Sequence, residues 1–139
     1  MGRDIIDLSY RYMTDDWSIG SHTVEANYRW MLRPDRFLQP NLRLYRQSAA
    51  EFYSRWLLDS QTLPKYVTAD YRLGEFDAWT VGLRFGQTVR PGQDFVLRVE
   101  YYWQFGDSSP PGAPGALANF DLFPTVDAWI VNAGYSLAM

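Results

Sequence analysis

The sequence predicts an all-β chain, an antiparallel up-and-down meander of about six strands forming part of a transmembrane β-barrel. Three observations carry that expectation. Six stretches of about ten residues alternate large apolar with small or polar side chains, the period-two pattern of amphipathic strands. The connections between them alternate between short and long. The aromatic residues sort by height along the strands and leave aliphatic residues between them.

Composition narrows the class. The 139 residues suit one domain, 1–139. Aromatics make up 17%, with six Trp and ten Tyr, a high share for a soluble domain. A net charge of −3 without a basic run argues against a nucleic-acid partner. Lys65 is the one Lys among 13 cations, and Arg suits planar, paired, partly buried charge. The absence of Cys excludes disulfides and thiolate metal sites. No apolar run approaches the roughly 18–20 residues of a transmembrane helix. Residues 1–7 carry no apolar signal-peptide core.

The first strand is expected over 4–13, with Ile6, Leu8, Tyr10 and Tyr12 opposite Asp7, Ser9 and Arg11. Residues 14–20, rich in Asp, Ser and Gly, read as a turn. The second strand, 21–32, sets Val24, Ala26, Tyr28 and Trp30 against Thr23, Glu25, Asn27 and Arg29. Arg33-Pro-Asp-Arg36 is a short hairpin connection, with Pro presetting φ at the second position. The third strand, 37–47, sets Leu38, Leu42 and Leu44 against Gln39, Asn41, Arg43, Tyr45 and Gln47. Pro40 lies on the apolar side; without an N–H it is expected near a strand end or a bulge. Residues 48–75 are less regular. They read as the third and fourth strands continuing into a long hairpin, in preference to a short helix over 49–58.

The fourth strand, 76–86, sets Trp79, Val81, Leu83 and Phe85 against Thr80, Gly82 and Arg84. Residues 88–94 form a turn centred on Pro91-Gly92. The fifth strand, 95–105, alternates most clearly, with Phe95, Leu97, Val99, Tyr101, Trp103 and Phe105 on one face. A long Pro/Gly/Ser-rich loop follows, and the sixth strand spans 127–139. Trp129, Val131, Ala133, Tyr135, Leu137 and Met139 share its apolar face.

An amphipathic meander buries its apolar face in a soluble fold and turns it to lipid in an outer-membrane barrel. Two patterns favour lipid. The connections at 33–36 and 88–94 are short, those at 48–75 and 107–126 long, and strand reversal places each kind at its own end. Short periplasmic turns and long external loops are the expected asymmetry. The same reversal puts Tyr12, Trp79, Trp103 and Trp129 toward the long-loop end and Trp30, Phe85, Phe95 and Tyr135 toward the short-turn end. These are two aromatic girdles around an aliphatic band. The opposite face carries Asp7, Arg11, Glu25, Arg29, Arg43, Arg84, Arg98 and Glu100, a charged lumen lining. Six strands are fewer than the eight or so of the smallest bacterial barrels, so the chain reads as the C-terminal segment of a larger one.

Two stretches also carry a resemblance. Leu38-Gln-Pro-Asn-Leu-Arg-Leu-Tyr-Arg-Gln-Ser-Ala-Ala-Glu-Phe-Tyr53 resembles a segment of an uncharacterised family of proteobacterial proteins classed as a domain of unknown function. Leu63-Pro-Lys-Tyr-Val-Thr-Ala-Asp-Tyr-Arg-Leu-Gly-Glu-Phe-Asp-Ala-Trp-Thr-Val-Gly-Leu-Arg-Phe-Gly86 does too. The resemblance implies an outer-membrane β-barrel of which this chain is the C-terminal portion. It implies no activity and no functional residues. Met139 stands where outer-membrane barrels usually end in an aromatic residue.

No catalytic, cofactor or metal site is expected. Ser21 and His22 are adjacent in a strand and point to opposite faces, so they form no nucleophile–base pair. Asp107, Asp121 and Asp127 match no calcium-loop spacing. Gly82, Gly86 and Gly134 read as positions where strands bend or pack closely. A polar cluster around the long hairpin, including Tyr45, Arg46, Gln47, Glu51, Tyr53, Arg55, Asp70, Tyr71, Arg72, Glu75 and Asp77, reads mainly as mutual support, with anion or sugar binding as its functional alternative.

The function expected is therefore an outer-membrane barrel with a pore or transport-like role. The alternative is a structural or surface-interaction barrel that binds a partner through loops 48–75 and 107–126. The expected partners are membrane lipid, lipopolysaccharide, the barrel-assembly machinery and a small solute.

Overall fold

The computed structural model describes residues 4–54, 62, 67–106, 115 and 123–138. The strands are β1 (Ile5–Thr14), β2 (Gly20–Arg33), β3 (Arg36–Gln47), β4 (Phe76–Arg90), β5 (Gln93–Gly106) and β6 (Val126–Leu137). They form one antiparallel sheet in chain order. Each strand pairs only with its neighbours in sequence, and β1 does not reach β6, so the sheet is not closed.

The ladders run longer than the alternation alone marks. β4 and β5 pair as far as Arg90 and Gln93, so their connection is only Pro91-Gly92. Gly92 has φ +77°, a left-handed conformation that Gly adopts at no steric cost, and a bulge between Thr88 and Arg90 absorbs the mismatch. The β2–β3 turn is Pro34-Asp35, beside a bulge between Met31 and Arg33. In the β1–β2 connection the Asp15 carboxylate accepts from the Trp17 and Ile19 amides at 2.9 and 3.1 Å, a side-chain mimic of a turn.

Two expectations need correction. Pro40 sits inside β3, paired with Leu83 of β4, and not at an end or bulge. Its missing N–H is absorbed on the other side. The β2–β3 ladder runs from Ser21↔Gln47 to Asn27↔Asn41, omits Tyr28 and Arg29, and resumes in the same register at Trp30↔Leu38. The second correction concerns 48–75. The β3–β4 ladder stops at Gln47↔Phe76, and the long hairpin does not continue it. A parallel bridge joins Tyr53 to Thr68, which no antiparallel hairpin accommodates, and a single 3-10 turn occupies Tyr71–Leu73. Residues 49–54 form a turn and no helix. Residues 55–61 and 63–66, which include Arg55, and 107–114 and 116–122 of the second long loop lie outside the described residues.

The chain reverses after Gln47 because that side chain substitutes for the ladder. Gln47 Nε2 donates to the Arg72 and Gly74 carbonyls at 3.0 and 3.2 Å, and the Ala50 amide donates to the Leu73 carbonyl at 2.8 Å. Asp70 caps the 3-10 turn, accepting from the Arg72 amide at 3.0 Å and from its guanidinium at 2.6 Å. That guanidinium holds the Asp70 carboxyl below the usual carboxylate range.

The sheet has no apolar core of its own. Among the described residues, the buried apolar side chains are Ile19, Ala50, Ala78 and Phe123, with Ser21 and Gln47 buried beside them. All lie toward the end where β1, β3 and β5 finish, here the loop end; the opposite is the turn end. Phe123, 3% exposed, packs edge-on against Tyr71 at 5.6 Å and at a tilt of 34° against Phe76 at 5.9 Å. A Cβ on Gly106 would come within 2.7 Å of the Phe123 ring, so the bare backbone there makes room for it. Phe123→Ala is expected to cost about 3–5 kcal/mol, read as a lower urea midpoint of the folded protein.

Candidate functional site

The alternation sends two chemically different sets of side chains to the two faces of the sheet. One face holds Leu8, Val24, Leu42, Val81, Leu83, Val131 and their neighbours, and most of its large apolar side chains are exposed. Aromatic residues flank this band. Toward the loop end, Trp79 meets Trp103 at 6.1 Å, Tyr101 meets Trp129 at 5.0 Å, and Tyr12 lies against His22. Toward the turn end lie Trp30, Phe85 and the cross-strand pair Phe95↔Tyr135.

The other face is polar and lines a trough of about 860 Å³ that touches all six strands. Arg11, Glu25, Arg43, Arg84, Arg98 and Glu100 line it, and Asp7 and Arg29 extend it toward the turn end. All eight charged residues expected on one face therefore share this face. The ladders stack them in rows. One row reads Ser9, Glu25, Arg43, Thr80, Tyr102, and the next toward the turn end reads Asp7, Asn27, Asn41, Gly82, Glu100, Ile130. Below that, Gln39, Arg84, Arg98 and Asn132 are successive partners, and Arg29 donates to Gln39 at 3.0 Å.

Each trough glutamate is held by one arginine and one asparagine. Arg43 donates to Glu25 through Nε and Nη2 at 3.0 and 2.8 Å, and Asn27 donates at 3.2 Å. Glu100 lies 3.5 Å from Arg98 Nε and accepts from Asn41 at 3.2 Å. The second arrangement crosses β4, and Gly82 is what allows it. A Cβ there would collide with Asn41 Oδ1 and lie 2.6 Å from Glu100 Cγ. Gly86 does the same for Phe37, whose ring a Cβ would overlap. Above Phe37 stand Arg29, 4.4 Å from the ring centroid, and Arg84, at 5.8 Å. Among the described residues, Arg11, Arg29 and Arg84 form no ion pair.

Asn27, Asn41, Gln39 and Phe37 complete the site and were not singled out by the charge pattern. The signal for Gly82 and Gly86 was their isolation inside an apolar-alternating strand. Gly134 differs, since nothing lies within 4 Å of a Cβ there. The loop-end polar cluster pairs internally: Arg46 reaches Glu75 at 3.2 Å and Asp77 at 3.9 Å, and Arg72 pairs with Asp70. Ser21 is buried on the trough side, while His22 is exposed on the apolar side with Nδ1 2.7 Å from the Tyr10 hydroxyl. No group of three metal-ligating side chains occurs among the described residues. Asp107 and Asp121 lie outside them.

These features define an open, all-β antiparallel meander with one apolar face and one charged, trough-lining face. Residues 1–137 match the family described as Protein of unknown function (DUF3570), and the chain belongs to that uncharacterised family. No curated protein and no solved structure matches it.

Gly82→Ala is expected to destabilise the fold by about 1–3 kcal/mol through overpacking. Gly134→Ala is expected to be neutral or stabilising by about 0.5 kcal/mol. Urea unfolding of the two variants side by side checks the contrast.

Proposed function

We propose that this chain is part of a bacterial outer-membrane β-barrel with a pore or transport-like role. The observation that carries the reading is the inverted distribution of polarity. Leu8, Trp129 and Val131 are 73%, 71% and 64% exposed, while the charged side chains gather in the trough. A contiguous apolar face of this extent is stable against lipid and a liability in water. Rings flanking an aliphatic band suit the two membrane interfaces. The unpaired edges of β1 and β6 call for further strands, since a lipid-exposed edge leaves backbone groups unsatisfied. On this reading lipid and lipopolysaccharide meet the apolar face, the barrel-assembly machinery inserts the protein, and a small solute passes through the trough.

The packed loop end favours a second reading, a surface-interaction barrel. Trp17 meets Phe52 at 5.8 Å and the Glu51 amide donates to the Trp17 carbonyl at 3.0 Å, so the connections brace one another into a defined surface.

Planar-bilayer recordings separate the two. The full-length protein is expected to conduct; no conductance at any salt concentration would sink the pore role and leave the surface role standing. The membrane assignment has its own test in two adjacent residues. Val131→Arg, on the apolar face, is expected to cost about 2–4 kcal/mol of stability in lipid vesicles. Ile130→Arg, on the trough side opposite Glu100, is expected to be tolerated. Equal effects at both positions would mean that the apolar face does not meet lipid.

A further inference from the structure

We infer that Arg29, Arg84 and Arg98 form a binding site for a phosphate group, free or carried on a small solute, in the turn-end half of the trough. The inference rests on the pore reading for solute access and adds the chemistry of what is admitted.

The first argument is charge. Arg84 and Arg98 are direct partners across β4 and β5, and like charges in that relation are unfavourable unless an anion lies between or beside them. Two of the three trough carboxylates are already committed, and the third, Asp7, lies on β1 toward the turn end and forms no ion pair among the described residues. Glu25 is taken by Arg43 and Asn27, and Glu100 by Arg98 and Asn41. At the β4 position one row above Arg84, beside Glu100, stands Gly82, so β4 supplies no counter-charge. Arg29 and Arg84 thus form no ion pair among the described residues, although Asp7 lines the same end of the trough as Arg29.

The second argument is preorganisation. Phe37 lies on the bare backbone of Gly86 and carries Arg29 at 4.4 Å and Arg84 at 5.8 Å above its ring. Stacking on an aromatic ring positions a guanidinium without using its donors. Arg29 spends Nε on Gln39, at 3.0 Å, which orients the fork. Both side chains belong to half-buried residues, where charge-assisted hydrogen bonds are stronger than in open water. Planar forks match the paired oxygens of a phosphate, and the neutral amides of Gln39 and Asn132 flank the row as further donors. A dianion offsets two arginines that form no ion pair among the described residues, which a halide or a single carboxylate does not.

Isothermal titration calorimetry of the full-length protein in zwitterionic detergent at low salt tests the site. The probes are inorganic phosphate and, separately, glycerol phosphate. Saturable binding that weakens with added salt is expected. Arg84→Gln is expected to lower affinity about tenfold or more. Arg84→Lys, which keeps the charge but not the fork, should fall between. Arg46→Gln, at the loop end, should leave binding unchanged. Far-ultraviolet circular dichroism of each variant confirms that the sheet is intact. Binding of both probes assigns the phosphate group itself; binding of the ester alone assigns a phosphorylated solute. Absence of saturable binding by either, or unchanged affinity in the folded Arg29→Gln/Arg84→Gln double variant, overturns the inference. Phosphate binding without conductance removes the pore role and keeps the site, whereas conductance without phosphate binding removes the site alone.

Discussion

A residue in a strand has two sides to face, and an antiparallel ladder makes neighbouring strands face together. That constraint organises this protein. Val81 pairs with Leu42 on one side and Tyr101 on the other, and all three fall on the apolar face. A single-residue slip between β3 and β4 would carry Arg43 to that face and Leu44 into the trough. The bulges lie next to the short turns, between Met31 and Arg33 and between Thr88 and Arg90, outside the rows that line the trough. The mid-strand register is therefore continuous where the charged rows need it to be.

Within that frame the trough depends on what its central strand leaves out. β4 contributes Ala78, Thr80, Gly82, Arg84 and Gly86 to the polar face, a run of small side chains broken by one arginine. Small residues let the long side chains of β3 and β5 lean across it. Asn41 and Glu100 meet over Gly82, and Phe37 settles over Gly86. Arg84 is then the one long polar side chain in that run, set between Phe37 and Arg98. The exposed Arg43–Glu25 pair contributes little by itself, on the order of 0–1 kcal/mol. Its effect is positional, since it occupies one carboxylate and leaves Arg29 and Arg84 to other partners.

The two ends of the sheet are finished differently. At the turn end, two-residue connections return each strand at once, and the ladder itself supplies nearly all the order. At the loop end the chain spends more residues and packs them. Phe123, Phe76 and Tyr71 form an aromatic cluster, Gln47 bonds two carbonyls of the returning segment, and Asp70 caps the 3-10 turn. The described buried side chains concentrate here, so the usual site of a hydrophobic core lies at one end of the sheet and not across its face.

Strand existence, strand order and the division into faces were legible in the sequence because a period of two is a local property. Every residue carries its own side assignment, and Leu97-Arg98-Val99-Glu100 reads the same way in isolation as in the sheet. All eight charged residues of the trough followed from that alternation. What the alternation cannot carry is information across strands. Whether Arg43 meets Glu25, whether Asn41 reaches Glu100 past Gly82, and whether two arginines share Phe37 depend on register, and register is set by turns and bulges distant in sequence from the contacts. The course of 48–75 was misread for a related reason. Its loose alternation resembles strand continuation, while the side chain of Gln47 and the parallel bridge at Tyr53 and Thr68 fold it back. Pro40 shows the same limit, since its tolerance inside β3 comes from a gap in the β2 ladder that only the assembled sheet reveals. Local periodicity determined which side each residue takes; the tertiary structure decided which residues meet, because meeting requires two segments to agree on a register that neither encodes alone.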